Sequence, residues 1–289
     1  MNKIIKSHRG IYYVENNNEI VLSKARGVFR NQNIKPVVGD NVKLSINNDG
    51  TGYIDEVFER KNQLLRPPIA NVDQVIVVMS ILSPDINLNL LDRYLLMLEK
   101  SKVDIKIIFN KIDLLKNDDL NYIFDIYRNI GYEIFLNSNN ETKNIETLKK
   151  IFNNKITAVA GPSGVGKSTT LNNVFEDLDL DTGLVSKKTQ RGKHTTRTVK
   201  MLKINENTYI IDTPGFSSLD LSFIEDRAEI RDNFIEFKKF SANCKFHNCF
   251  HINEPSCAVK EAVKVGDISE YRYNNYKLIL EEYDNIRRY

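Results

Sequence analysis

The sequence has no long apolar run, no signal-peptide core and few cysteines. None of its apolar stretches approaches the roughly 20 residues that a membrane-spanning helix needs, and the segment that begins at Met1 lacks the apolar core of a signal peptide. The three cysteines, an odd number, all lie between Cys244 and Cys257, which argues against a disulfide framework. We therefore expect a cytoplasmic protein with no membrane partner and, since nothing indicates an obligate dimer, a monomer.

The remaining composition is that of a globular protein, with 41% hydrophobic and 27% charged residues among 289. This length allows two domains, or one domain with smaller flanking modules. A net charge of +3 is too small to identify a partner, but the charge is unevenly distributed. Residues 187–203 contain seven lysines and arginines and no acidic residue. This stretch either neutralises a phosphate ligand or contacts a polyanion, and we favour an RNA.

Residues 1–62 alternate apolar and polar positions in short runs that are separated by Gly, Asn and Asp turns. Such runs, at 11–14, 19–22, 41–46 and 53–57, predict a small β-barrel of about five strands, of the oligonucleotide-binding (OB) type. Ten basic residues against seven acidic ones would suit single-stranded nucleic acid. A barrel that only docks on another protein fits the same pattern, so both uses stay open.

Residues 63–219 alternate apolar strands with helical patterns, as at 74–79, 88–100 and 105–109, which predicts an α/β domain with a parallel sheet. Residues 224–289 are helical in pattern apart from a cysteine-containing loop. They include an apolar stripe at Ile268, Tyr271, Ile279, Leu280, Tyr283 and Ile286. We expect three domains, at 1–62, 63–219 and 220–289.

Residues 161–168 form a Gly-x4-Gly-Lys-Ser phosphate loop, between an apolar strand at 156–160 and a helix from Thr169 onward. Its glycines let backbone N–H groups converge on phosphate oxygens at a helix N-terminus. We expect Lys167 to reach the β- and γ-phosphates and the Ser168 hydroxyl to bind Mg²⁺. The predicted phosphate-binding residues are Gly161, Pro162, Ser163, Gly164, Val165, Gly166, Lys167, Ser168 and Thr169.

An Asn-Lys-x-Asp motif at the end of an apolar strand predicts guanine recognition. The Asp113 carboxylate can accept two hydrogen bonds from guanine, and adenine offers no such pair. The predicted base-binding residues are Asn110, Lys111, Ile112 and Asp113, with Asn110 bracing the loop and the Lys111 stem lying along the base. Asn137 and Ser138 follow the next apolar strand and offer a second, backbone contact to guanine O6.

An Asp-x-x-Gly motif at 212–215 follows an apolar strand, which predicts the second nucleotide switch. We expect Asp212 to lie beside Mg²⁺ and the Gly215 N–H to lie near the γ-phosphate. Phe216 stands where Ras-like enzymes carry the glutamine that orients the attacking water, so intrinsic hydrolysis should be slow. Potassium-assisted GTPases carry an asparagine at the position of Gly164, so we do not expect that route either.

The segment 189–196 is the candidate first switch. It contains Gln190 and His194 as groups that can assist hydrolysis, and Thr195 and Thr196 as threonines that can face Mg²⁺. The motif order is also informative, because the guanine motif precedes the phosphate loop, which precedes Asp-x-x-Gly. Ordinary GTPases begin with the phosphate loop, so the order indicates a circular permutation that brings both switches directly before the C-terminal region.

The cysteine-containing loop places three thiols and an imidazole within 14 residues, at Cys244, Cys249, His251 and Cys257. Four such ligands close a tetrahedral Zn²⁺ site and leave no open position, so we expect one structural zinc ion. His247 is a rival ligand to His251. Buried, reduced cysteines without a metal are the alternative.

Taken together, these motifs resemble the RsgA family of bacterial small ribosomal subunit biogenesis GTPases. The resemblance rests on the barrel, the permuted motif order, the Arg-Gly-Lys-His-Thr-Thr run at 191–196 and the Cys-x4-Cys-x-His-x5-Cys loop. It implies an enzyme that binds the small ribosomal subunit and its rRNA, hydrolyses GTP to GDP faster when bound there, and holds zinc through Cys244, Cys249, His251 and Cys257. It also implies that His194 assists hydrolysis once the ribosome orders the switch. The segment 137–139 departs from the family's guanine-loop signature.

Two functions follow from these patterns. The first is an RNA-activated GTPase of late small-subunit maturation, in which the barrel and the zinc module hold the ribosome. The second is a GTP-gated RNA-binding protein in which hydrolysis is incidental. A metabolic P-loop kinase fits less well, because Asp113 selects guanine and no acceptor-substrate site is evident. Replacing His194 by alanine separates the first two, since only the first requires it for stimulated turnover.

Overall fold

The structure is a computed structural model that describes residues 1–31, 34–115, 120–138, 142–175, 178, 199–212 and 220–286. For residues 30, 31, 142, 143 and 212 it describes the backbone alone. No helix within these ranges is both long and apolar enough to cross a membrane.

The N-terminal strands form a closed barrel in the order β1-β2-β3-β5-β4, with β4 returning to pair with β1. Its elements are β1 (Asn2–His8), β2 (Ile11–Asn16), β3 (Glu19–Ala25), α1 (Val28–Asn31), β4 (Asn41–Ile46) and β5 (Gly52–Val57). Alternate residues such as Ile4, Val14, Val42 and Ile54 fill the barrel interior. The predicted OB-type barrel is confirmed, although the sequence pattern did not single out β1.

Among the described residues, the central region forms a six-stranded sheet between helices, preceded by a two-stranded ribbon. Its elements are β6 (Gln63–Leu64), β7 (Ile69–Ala70), β8 (Gln74–Ser80), α2 (Leu88–Lys100), β9 (Asp104–Asn110), α3 (Asn121–Ile130), β10 (Glu133–Asn137), α4 (Thr142–Phe152), β11 (Ile156–Ala160), α5 (Lys167–Val174), β12 (Lys200–Lys203) and β13 (Tyr209–Asp212). All residues of β8 are buried, because helices cover both faces of this strand, and its sequence is accordingly an almost continuous apolar run.

The strand order of this sheet is β10-β9-β8-β11-β13-β12, and all neighbours are parallel except the antiparallel pair β12 and β13. Because the carboxyl ends of parallel strands lie at one edge, the residues that follow β8, β9, β10, β11 and β13 meet there. The chain enters the sheet at β8 and reaches the phosphate-loop strand β11 only later. The permuted GTPase fold predicted from motif order is therefore confirmed.

The barrel continues the central sheet through a pairing of β1 with β12, with Lys6 opposite Lys200. Beside it, Glu15 accepts hydrogen bonds from Lys203 Nζ at 2.5 Å and Tyr209 Oη at 2.8 Å. Burial disfavours the charged carboxylate, but the hydrogen bonds outweigh it and lower the pKa of Glu15. Burial together with this carboxylate raises the pKa of Tyr209 to about 12.

The C-terminal region is helical around the cysteine-containing loop, as predicted. Its helices are α6 (Arg227–Asp232), α7 (Lys238–Ser241), α8 (Ala258–Lys264) and α9 (Glu270–Ile286), with 3₁₀ turns at Leu221–Phe223 and Ile235–Phe237. The predicted apolar stripe is partly wrong, because Tyr271 and Ile286 are exposed. Tyr273 and Tyr276 are buried on α9 instead, since their hydroxyls bond to backbone carbonyls of the cysteine-containing loop.

A buried ionic network joins α9 to α2 and α3. The Arg272 side chain is 1% exposed, donates to Asp92 Oδ1 at 2.7 Å, and donates twice to the Glu236 carboxylate at 2.8 and 3.0 Å. Asp92 also accepts from Asn275 Nδ2 at 2.5 Å and from Tyr127 Oη at 2.8 Å. Charges this deeply buried persist only with such paired and hydrogen-bonded partners, so the network fixes where the C-terminal region attaches.

Candidate nucleotide and metal sites

The phosphate loop turns sharply between β11 and α5, and its three glycines adopt positive φ values. The φ of Gly161 is 138°, and a side chain there would overlap the carbonyl oxygen of Val78. The φ of Gly166 is 93°, and a side chain there would collide with the amide of Asn110. These glycines therefore let the loop close tightly against the ends of β8 and β9.

The residues after the loop begin α5, which places a helix N-terminus at the carboxyl edge of the sheet. Lys167 Nζ donates to the carbonyl oxygens of Gly161 and Pro162 at 2.8 and 2.7 Å, so its ammonium lies over the loop. Ser168 and Thr169 occupy the first turn and are half-buried. A tight glycine loop, a helix N-terminus and an ammonium together suit an anion such as a polyphosphate.

Asn110 links the predicted guanine motif to the phosphate loop. Its side chain is fully buried; Oδ1 accepts from the backbone N–H of Lys111 at 2.9 Å, and Nδ2 donates to Val165 O at 2.8 Å. Lys111 has a φ of 63° and donates through Nζ to Gly164 O at 2.8 Å and to the carbonyl of Ser83. The two loops are therefore joined twice, once through each side chain.

Asp113 lies in the 3₁₀ turn Ile112–Leu114, where it is exposed and Ile112 is half-buried. Asn110 and Lys111, which precede this turn, both bond to carbonyls of the phosphate loop. The reading of guanine by Asp113 is a prediction that the geometry permits.

Asn137 ends β10 beside Asn110, and both Asn137 and Ser138 are buried. The amide of Asn137 donates to Asn110 Oδ1 at 2.8 Å. Thr170 Oγ1 lies 3.3 Å from Asn110 Nδ2 and 3.4 Å from Asn137 Nδ2. Thr170 was not among the predicted site residues. The sequence did offer one indication of its role: Thr170 is a polar residue four positions after Gly166, the last glycine of the loop, where α5 faces the sheet.

The backbone of Asp212 ends β13 next to β11, opposite Val159, so Asp212 lies at the same edge of the sheet. The remaining predicted switch residues lie outside the described part of the chain; these are Gln190, His194, Thr195, Thr196, Gly215 and Phe216. Their roles stay predictions.

The structure brings together the four predicted zinc ligands, whose donor atoms all lie within 4.8 Å of one another. His251 Nδ1 is 3.3 Å from Cys257 Sγ and 3.6 Å from Cys244 Sγ, and these two sulfurs are 3.9 Å apart. Tetrahedral Zn²⁺, with bonds of about 2.3 Å to sulfur and about 2.0 Å to nitrogen, requires separations of roughly 3.5 to 3.8 Å. The donor set and spacing therefore fit one metal ion.

The surrounding loop holds these ligands in place. Tyr273 Oη donates to His251 O at 2.6 Å, and the Glu254 carboxylate accepts from the N–H groups of Phe250 and Ile252. Cys257 caps the N-terminus of α8. His247, the rival ligand, is exposed on the surface, so the geometry selects His251.

Burial sets the protonation of the cluster. It lowers the pKa of His251 to about 4, which keeps the imidazole neutral and able to bind a metal. It raises the pKa of the Cys249 thiol to about 12. A bound cation reverses this preference for the protonated thiol, because metals bind cysteine as the thiolate. His251 Nε2 is buried and has no hydrogen-bond partner among the described residues.

The permuted strand order, the phosphate loop and the Asn-Lys-x-Asp loop bonded to it define the chain as a circularly permuted GTPase with an N-terminal OB-type barrel. Comparison with known families narrows this class. The model of the RsgA GTPase matches residues 57–222, and that of the RsgA N-terminal domain matches residues 3–54. The chain belongs to the RsgA GTPase family and is a GTP hydrolase.

Similar proteins match over nearly the whole chain. The small ribosomal subunit biogenesis GTPase RsgA of Alkaliphilus metalliredigens is 44% identical over 99% of both chains. The protein of the same name from Clostridium botulinum is 42% identical over 99% of this chain and 98% of its own. The solved structure of YloQ, a circularly permuted GTPase, is 35% identical with a TM-score of 0.79 and covers 98% of this chain and 94% of its own. YjeQ from Thermotoga maritima is 36% identical with a TM-score of 0.80 and covers 97% of each.

Proposed function

We propose that this GTPase acts in biogenesis of the small ribosomal subunit, and that it binds the subunit and hydrolyses GTP faster when bound there. One observation carries the proposal: a relative named for this process aligns over 99% of both chains, so the match includes the barrel and the C-terminal region as well as the GTPase domain. We also propose that the protein acts in the cytoplasm and as a monomer.

The nucleotide would lie at the carboxyl edge of the central sheet. Asp113 reads guanine, Asn110 and Lys111 hold its loop, and residues 161–169 surround the phosphates. When bound, Mg²⁺ would neutralise phosphate charge, held by the Ser168 hydroxyl and approached by Asp212. This assignment is supported by the bonds that Asn110 and Lys111 make to the carbonyls of the phosphate loop.

Hydrolysis requires a group to orient water. His194 is the proposed catalytic residue, with Thr195 and Thr196 facing the metal and the Gly215 N–H facing the γ-phosphate. All four residues belong to the two predicted switches. The first switch precedes β12 in the chain and the second follows β13, and these two strands pair with each other. A partner that orders the switches would therefore act on the catalytic group.

Zinc is the proposed metal of Cys244, Cys249, His251 and Cys257, where four protein ligands leave no position for catalysis. We assign the domains to residues 1–62, 63–219 and 220–289. The barrel and the basic residues 187–203 are the proposed rRNA contacts. Charge supports this, since the barrel segment has ten basic and seven acidic residues.

The decisive experiment measures steady-state GTP hydrolysis by the purified protein alone, with small ribosomal subunits, and with large subunits as control. We expect small subunits alone to stimulate turnover, and His194→Ala to lose this stimulation while it retains GDP binding. Nucleotide-dependent binding to the subunit at an unchanged hydrolysis rate would favour a GTP-gated RNA-binding protein. No binding to small subunits would rule out the proposal.

A further inference from the structure

Three buried polar side chains meet beneath the nucleotide site, and they come from three separate elements. Asn110 ends β9, Asn137 ends β10 and Thr170 lies on α5. Their exposed fractions are 0%, 3% and 3%, respectively. Because buried polar groups are stable only when hydrogen-bonded, the contacts among these three side chains constrain all three elements.

The hydrogen bonds fix the orientation of each amide. Asn110 Oδ1 accepts the backbone N–H of Lys111 and the amide of Asn137, so Asn110 Nδ2 points to Val165 O and Thr170 Oγ1. Asn137 Nδ2 donates to Asn110 Oδ1 and approaches Thr170 Oγ1. The Thr170 hydroxyl oxygen is therefore the shared acceptor for both amides.

We propose that Thr170 is a positioning residue for guanine recognition, because it holds Asn110 and Asn137 and thereby the loop that carries Asp113. This inference rests on the proposed role of Asp113 as the base-reading residue. Asp113 is three residues from Asn110, and Asn110 also contacts the phosphate loop at Val165. A shift of Asn110 therefore moves the base-reading carboxylate relative to the phosphates.

Valine at position 170 keeps the shape of threonine but removes the acceptor. Two buried amide N–H groups would then lose a partner, and Asn110 and Asn137 would have to turn to find another. Serine keeps the hydroxyl and removes only a methyl group. A matched control is Thr157→Val in β11, where the fully buried hydroxyl accepts from Gln74 Nε2 at 2.9 Å and Gln74 retains its bond to Ile151 O.

The test measures dissociation constants for GDP, IDP and ADP with the full-length protein. IDP lacks the exocyclic amine of guanine, so the ratio of IDP to GDP constants reports the hydrogen bond from that amine to Asp113. We expect Thr170→Val to weaken GDP binding about tenfold, equivalent to about 1.4 kcal/mol, and to shrink the IDP to GDP ratio. Thr170→Ser should restore both, and Thr157→Val should leave the ratio unchanged.

A folded Thr170→Val protein with an unchanged IDP to GDP ratio would overturn the inference, since it would leave Thr170 a packing role only. A wild-type protein that binds ADP as tightly as GDP would overturn the proposed role of Asp113, and the inference with it. If Thr170→Val does not fold, Asn137→Ala removes the amide that donates to both Asn110 Oδ1 and Thr170 Oγ1, and it should shrink the same ratio. An unchanged ratio there would contradict the inference equally.

Discussion

The nucleotide site and the metal cluster are built in opposite ways. The cluster takes all its ligands from one loop, and Cys244 and Cys257 are only 13 residues apart. The nucleotide site takes its parts from distant strands, and Asn110 and Thr170 are 60 residues apart. A loop that carries its own ligands depends mainly on the metal, whereas the nucleotide site depends on the register of the whole sheet. Each can therefore be broken without the other.

Breaking the metal cluster should have the largest effect. Cys249→Ser removes a buried ligand, so bound zinc should fall from about one per chain to near zero, and the C-terminal region should lose at least about 4 kcal/mol of stability. Metal analysis and thermal unfolding measure both. His247→Ala changes an exposed histidine and should keep the metal. If it instead lost the metal, the choice of His251 as ligand would be wrong.

The next largest effect should come from the network that attaches the C-terminal region to α2. Arg272→Met leaves Asp92 and Glu236 buried without their cation, which should cost about 3–5 kcal/mol. Urea unfolding measures this cost. The control is Arg128→Met, which removes an exposed ion pair with Asp125 and should cost below about 1 kcal/mol. Equal costs would mean that the network contributes little to attachment.

Asn110→Ala should break the nucleotide site while it leaves the metal cluster intact. It removes the bonds to Val165 and to the Lys111 N–H, so GDP should bind about 100-fold more weakly, equivalent to about 2.7 kcal/mol, with zinc content unchanged. Calorimetric titration gives the affinity. Asn129→Ala, an exposed change on α3, is the control. A loss of zinc in Asn110→Ala would show that the two sites are not independent.

The smallest effect should come from the contact between barrel and central sheet. The pKa of Glu15 is lowered in the folded protein, so its contribution to stability is present above the ordinary glutamate pKa and is lost as pH falls through the folded value. Glu15→Gln should cost about 1 kcal/mol at pH 7 and progressively less below about pH 4.5. Unfolding at a series of pH values tests this. A cost that is equal at pH 7 and pH 3 would exclude an ionic contribution.

Much of the fold follows from local patterns in the sequence. The helix at 88–100 and the strands around 74–79 and 105–109 were predictable because apolar periodicity reflects burial. The grouping of Cys244, Cys249, His251 and Cys257 was also predictable, because a short loop limits how far its ligands can separate. The choice between His247 and His251 was not, since it depends on which ring faces inward.

These local patterns did not predict contacts between distant segments of the chain. Arg272 and Asp92 are 180 residues apart, and each alone resembles a surface charge. Thr170 on α5 is a similar case, because its partners Asn110 and Asn137 come from two strands that lie earlier in the chain. Tyr271 and Ile286 matched the apolar period of α9 but are exposed, because the hydroxyls of Tyr273 and Tyr276 set the rotation of the helix. Specific hydrogen bonds, rather than average hydropathy, decided these cases.

The pairing of β1 with β12 also protects the molecule from self-association. β12 is the last strand of the central sheet, and an uncovered last strand presents N–H and C=O groups to which another chain can add. Lys6 of the barrel lies opposite Lys200 on that strand, and Lys203 at its other end bonds to Glu15. The barrel itself is closed, because β4 returns to β1. The N-terminal barrel thus also serves as a cover that keeps the GTPase sheet from growing into a neighbour's sheet.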